Sequence, residues 1–183
     1  MPQMIYSVAA ILLLGVAFLN INQKVHGTDE RMMFSELTLE MTGVGAEILD
    51  EIGKRPFDAN TVGGLLIPAT ALGASASVSP SACDPDDSNY AGCDTIGHFH
   101  GKTATRNRTR THSQNGTPTT YTVPYTVKNI AIEYVSETAP HTTSATPTFA
   151  KEATIRVETA ALQDASGGPF GFTMRRVYTY PDI

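Results

Sequence analysis

The chain has 183 residues, a formal net charge of −5, two cysteines and no tryptophan. That length suits one ordinary domain or a small domain with an appendage, and an acidic balance without a basic tract argues against nucleic acid as a partner. The hydrophobic residues, 41% of the total, are unevenly spread: nothing charged precedes Lys24, and the rest of the chain is correspondingly lean. A plain cytosolic globule fits this distribution poorly, because so long an apolar end would be exposed or need a much larger core around it.

Residues 4–21 are apolar on every helical face, and as a helix they would measure about 27 Å, close to the hydrocarbon thickness of a bilayer. Met4, Ile5, Val8, Ile11, Leu12, Leu13, Val16, Phe18 and Leu19 are the expected packing residues, in the inner membrane first and against copies of the same segment afterwards. A cleaved secretory signal fits less well. No basic n-region precedes the run, and it ends in Asn20-Ile21-Asn22-Gln23-Lys24 rather than at a small-residue site. The expected organisation is an apolar N-terminal helix over 1–27 and a globular head over 28–183.

From Asp29 the pattern becomes amphipathic. Met33, Leu37, Met41, Val44, Ile48 and Ile52 recur at helical steps, Thr28 suits an N-cap, and Arg55-Pro56 ends the run, which predicts a helix over 28–55. Gly27 is the joint between the two helical segments, with Gly43 and Gly45 as smaller interruptions. If Gly27 only bends the chain, Met4 to Lys54 make one helix of about 75 Å. Its stripe reads first as a face packed on its own domain and second as a seam between copies.

Residues 56–118 read as a loop region. Cys83 and Cys93 enclose an acidic, turn-rich stretch, and in an exported domain the natural reading is a disulfide. The competing reading is a zinc site completed by His98 and His100, although structural zinc cysteines usually sit two to four residues apart. Asp84, Asp86 and Asp87 are weak calcium candidates. Counted from Asp84, the EF-hand positions for Gly and Glu hold Asn89 and Thr95, so that motif is absent and a solvated acidic loop is the default. Threonine occurs 24 times, 14 of them between Thr103 and Thr148. The crowded stretch 103–122 contains two acceptor sequons, Asn107-Arg108-Thr109 and Asn115-Gly116-Thr117. Arg106, Arg108 and Arg110 alternate there, and a solvated surface ribbon is expected.

The region 119–183 is predicted as an antiparallel sheet, with strands at 121–127, 129–135, 152–159 and 170–180 and a turn at Gly167-Gly168-Pro169. In the third strand Ala153, Ile155 and Val157 share one face. Its apolar side needs a cover, and the amphipathic helix is the available one. The expected fold class is α+β, a long N-terminal α-helix packed on a small antiparallel β-sheet head.

This arrangement resembles the subunits of type IV pilin-like filaments. The helix exit Ile52-Gly53-Lys54-Arg55-Pro56-Phe57-Asp58 is similar to that of minor-pilin-like proteins, as is the acidic run leading to Asp94-Thr95-Ile96-Gly97-His98-Phe99-His100-Gly101. The resemblance implies a structural subunit whose apolar half-helix packs in the core of an extracellular helical filament after membrane insertion. Two features depart from the family: Ile5 stands where a Glu is usual, and no Gly-terminated basic leader is visible, which points to a processed end at Met1 or another export route. A membrane-anchored adhesion or binding module is the alternative. No cofactor and no enzymatic activity are expected, since no His-Glu-x-x-His, Gly-x-Ser-x-Gly or phosphate-binding loop occurs.

Overall fold

The structure is a computed structural model that describes residues 31–62, 67–87, 90–114, 117–164 and 166–180. The apolar packing residues Met4 to Leu19 lie outside the described residues, as do the sequon residues Asn115 and Gly116. Two compact units are present, Met1–Glu40 and Met41–Ile183. In the first, the described residues 31–40 are helical and hold Met32, Met33, Phe34 and Leu39 exposed. The helical residues 31–53 are called α1, and those from 41 onward belong to the second unit.

The second unit is built on one four-stranded antiparallel sheet in the order β1-β2-β3-β4, with β1 at Ala104–Gln114, β2 at Thr117–Tyr134, β3 at Ala150–Gln163 and β4 at Pro169–Thr179. Among the described residues each strand pairs only with its sequence neighbours, so β1 and β4 are the edge strands of the meander. In β3, Lys151, Ala153, Ile155, Val157 and Thr159 are all buried at alternate positions, the period of a strand with one face inward. Met41, Val44, Ile48 and Ile52 of α1 are fully buried, and three-and-four spacing brings them onto one side of the helix.

The expectation of a long N-terminal helix on a small sheet head is corrected here. Among the described residues there is one helix of 23 residues, while the four strands run to 11, 18, 14 and 11 residues, so the fold is mostly sheet. The reason is the threonine-rich segment 103–122. β-Branched threonine suits a pleated backbone whether or not the strand is buried, and this segment supplies β1 and the first part of β2 rather than a loop. The predicted strands at 121–127 and 129–135 are halves of β2. Between Lys128 and Ala131 the register with β3 shifts, and Asn129 takes a φ of 55°. Asn tolerates that left-handed conformation, and the extra residue switches the buried side from Val123, Tyr125 and Val127 to Ile130, Ile132 and Tyr134.

Glycines set how closely α1 approaches the sheet. A Cβ on Gly45 would lie 2.3 Å from Sδ of Met174 and 3.0 Å from Cγ2 of Val157, and one on Gly53 would lie 2.8 Å from Cε1 of Tyr178. At Gly43 the same atom meets nothing within 4 Å. Gly43→Ala is therefore expected to raise stability by about 0.5–1 kcal/mol by removing helix-opposing backbone freedom. Gly45→Val should lower it by about 1–3 kcal/mol through overpacking. Urea unfolding of the two variants checks both signs; equal effects would contradict the asymmetry.

Candidate functional site

Two side-chain clusters connect the irregular segment 54–103 to the sheet. The first lies around the disulfide. Cys83 and Cys93 are bonded, with Cα atoms 4.5 Å apart, and both are buried. The loop they close presents Asp86 and Tyr90 to the start of β1. The Asp86 carboxylate accepts the Thr105 backbone N–H and lies 3.4 Å from Nη1 of Arg106. Nη2 of Arg106 donates to the Tyr90 hydroxyl at 2.8 Å and to the Pro85 carbonyl at 2.9 Å. The guanidinium carbons of Arg55 and Arg106 each lie 5.6 Å from the centroid of the Tyr90 ring, within cation–π range. On α1, Glu47 takes Arg106 at 3.4 Å and also pairs with Arg108. Two of the alternating arginines, Arg106 and Arg108, therefore tie β1 to the helix, and Arg106 also ties it to the disulfide loop.

Two of the three aspartates weighed for calcium, Asp84 and Asp86, are taken up by other tasks. One Asp84 oxygen accepts the Asp86 backbone N–H at 2.9 Å in a local turn, and Asp86 serves Thr105 and Arg106. No group of three or more His, Cys, Asp or Glu side chains suited to a metal occurs among the described residues. The two histidines considered as zinc partners are drawn apart by the 3-10 turn Ile96–Phe99. His98 Nδ1 meets the Gly92 carbonyl and the Asp94 N–H, whereas His100 Nδ1 accepts the Ile132 N–H at 3.0 Å.

The second cluster is buried. Lys151, on the inward face of β3, is 1% exposed. Its Nζ donates to the Phe57 carbonyl at 2.7 Å and to Oδ2 of Asp58 at 3.4 Å. It also stands 4.6 Å and 5.1 Å from the ring centroids of Phe57 and Tyr134. Asp58 in turn caps the 3-10 turn Ala59–Thr61 and accepts the Gly73 N–H at 3.2 Å, while the Tyr134 hydroxyl donates to the Gly73 carbonyl at 2.9 Å. Burial holds the Lys151 ammonium below its ordinary pKa of 10.5, opposed in part by Asp58, and burial together with the nearby Asp58 charge pushes the Tyr134 hydroxyl up. Lys151 was not a sequence candidate. Its signal was its parity: it shares a face with Ala153, Ile155 and Val157.

On the opposite face of β3, Glu152 pairs with Nδ1 of His141, which has a φ of 68°, and lies 3.7 Å from Arg175. An open cavity of about 260 Å³ lies between α1 and β4, lined by Asp50, Gly53, Lys54 and Arg176 to Thr179. Its charges are mutually paired: Asp50 with Lys54 at 3.6 Å and with Arg176 at 3.4 Å. Beyond it, the Tyr178 hydroxyl donates to the Leu49 carbonyl, and burial pushes its pKa up. Asn107 is an exposed residue of β1. Among the described residues no helix is long and apolar enough to cross a membrane.

Comparison with protein-family models, with curated proteins and with solved structures gave no match.

The chemistry of both clusters is adhesive: cations are matched to carboxylates, carbonyls and rings already in place. Lys151→Met is expected to cost about 3 kcal/mol, because it leaves the Asp58 carboxylate buried without its counter-ion, and Lys151→Met/Asp58→Asn should recover part of that loss. The Lys151 amine also has a pH signature. With its folded pKa below 10.5, the unfolded chain holds the proton to higher pH, so this group's contribution to stability rises with pH in the window below 10.5. The gap between the native chain and Lys151→Met should therefore widen towards pH 10 in urea titrations; a gap that narrows would contradict the lowered pKa. Replacing both cysteines with Ser should cost about 2–3 kcal/mol, measured by the same titration at pH 7.

Proposed function

We propose that the protein is a structural subunit of an extracellular pilus-like filament, assembled through its apolar N-terminal segment and exposing the sheet unit to solvent. The observation that carries this reading is the 23-residue uncharged end, whose residues 4–21 are apolar on all helical faces. Residues 31–40, helical with Met32, Met33 and Leu39 exposed, add further apolar side chains beyond it. The segment would enter the inner membrane first. In the filament its lipid neighbours would be replaced by other copies, so association would depend on close packing rather than on release from water. The disulfide suits an oxidising location.

Leu13→Asp or Val16→Asp is expected to abolish assembly while leaving the unfolding free energy of the sheet unit within about 0.5 kcal/mol of the native value. Electron microscopy of sheared cell-surface material provides the readout. Filaments of normal abundance built from either variant would refute the proposal.

A further inference from the structure

β1 is an edge strand of 11 residues; Asp86 caps it at the Thr105 N–H, and the remainder of such an edge is a template for pairing with another chain unless something blunts it. The two faces of β1 differ. Arg106 and Arg108 point to Glu47 of α1, so the residues between and beyond them, Thr105, Asn107 and Thr109, stand on the opposite face. All three are exposed. Opposite them on β2 are Thr126, Pro124 and Thr122, so this face of the hairpin carries no charge. The β2–β3 ladder pairing runs from Thr126 onward, and ahead of it the Thr159 hydroxyl of β3 reaches the Pro124 carbonyl at 3.1 Å, so the sheet narrows at the rows of Asn107 and Thr109. No hydrogen bond holds the Asn107 amide among the described residues, and the Asn107-Arg108-Thr109 acceptor sequence is centred near the middle of this edge.

We propose that Asn107 is an N-glycosylation site, and that the oligosaccharide covers the β1 edge. The proposal rests on the export assumed for the filament subunit. In the transfer, Nδ2 of Asn107 attacks the anomeric carbon of a lipid-pyrophosphate-linked oligosaccharide. A C–N glycosidic bond forms, the bond from that carbon to the pyrophosphate oxygen breaks, the amide proton passes to a transferase base, and the lipid pyrophosphate leaves. The acceptor hydroxyl of Thr109 has to approach the Asn107 amide during this step. In a strand, residues two apart are separated by about 6.8 Å, so transfer precedes the pairing of β1 with β2. The folded protein has then only to leave room for the sugar. The uncovered outward face does so, and the arginines that bind the strand to α1 are on the other side.

The test is translation of the full chain with microsomal membranes that carry the transferase and its lipid-linked donor. Translocation is scored by protease protection, and glycosylation by a mass shift that an N-glycan-cleaving amidase removes. A shifted, protected chain is expected. The shift should be lost in Asn107→Gln and in Thr109→Ala and kept in Thr109→Ser, which preserves the acceptor hydroxyl. A translocated chain with no shift overturns the site. So does a shift that persists in Asn107→Gln or disappears only in Asn115→Gln. A chain left outside the vesicles overturns the export reading and this proposal with it.

Discussion

The ammonium of Lys151 is buried away from bulk solvent, and much of the fold around it supplies the partners that a desolvated charge needs. Its stem crosses the inward face of β3, and its tip reaches the Phe57 carbonyl, the Asp58 carboxylate and the faces of Phe57 and Tyr134. These groups come from three places in the sequence, the exit of α1, the end of β2 and the start of β3. None can move far without stranding a desolvated charge, and an unpaired buried charge costs several kcal/mol. Asp58 passes the constraint on, because the same carboxylate fixes the turn Ala59–Thr61 and the Gly73 N–H, and Tyr134 holds the Gly73 carbonyl. The turn Ala59–Thr61 and the backbone at Gly73 are thereby tied to the start of β3. Polar contacts of this kind specify geometry more sharply than apolar area does, since a misplaced donor forfeits its hydrogen bond while a misplaced methyl still touches something.

The disulfide cluster applies the same logic at the surface. The loop between Cys83 and Cys93 has few apolar residues to dock with, and covalent closure reduces the entropy lost when Asp86 and Tyr90 are fixed against Arg106. Glu47 on α1 then links helix, strand and loop through two arginines. This accounting bears on function. The cross-strand neighbours of Arg106 and Arg110 are Tyr125 and Tyr121, which in isolation would suggest a basic, aromatic surface for a polyanion. Arg106 and Arg108 are, however, already matched to Glu47 and Asp86, so binding phosphate there would require breaking existing pairs.

What the sequence disclosed depended on whether burial and local period coincided. In α1 they do: Met41, Val44, Ile48 and Ile52 follow the helical step and are all buried. In β3, alternation placed Ala153, Ile155 and Val157 correctly on the inward face. β1 was illegible because it has no apolar period; its alternation is of arginine and threonine, and only the cross-strand partner and Glu47 turn that into structure. β2 looked like two strands because the bulge at Asn129 flips the buried parity midway, which in a linear reading resembles a turn. His98 and His100 looked like a pair only under the assumption of an extended chain, and the 3-10 turn removes that geometry. Lys151 was readable in principle, since a lysine in register with three buried residues needs a buried partner. Asp58, 93 residues away, could not be named without the fold.

The balance of forces in the sheet unit also bears on how the filament reading divides the chain. A unit that depends on a buried ion pair, a disulfide and helix–strand salt bridges carries its stability in specific internal links. The 23 uncharged residues before Lys24 are a separate reserve of apolar side chains in the sequence. Apolar material that the fold does not consume is costly to leave in water, and selection retains it where lipid or another apolar surface is available. A lone membrane anchor would account for 18 such residues. It would not account for exposed Met32, Met33 and Leu39 beyond the first charged residues, on a helical stretch too polar to enter lipid. In the proposed filament, contact between copies would offer both sets a neighbour, which is the physical ground for proposing assembly over simple anchoring.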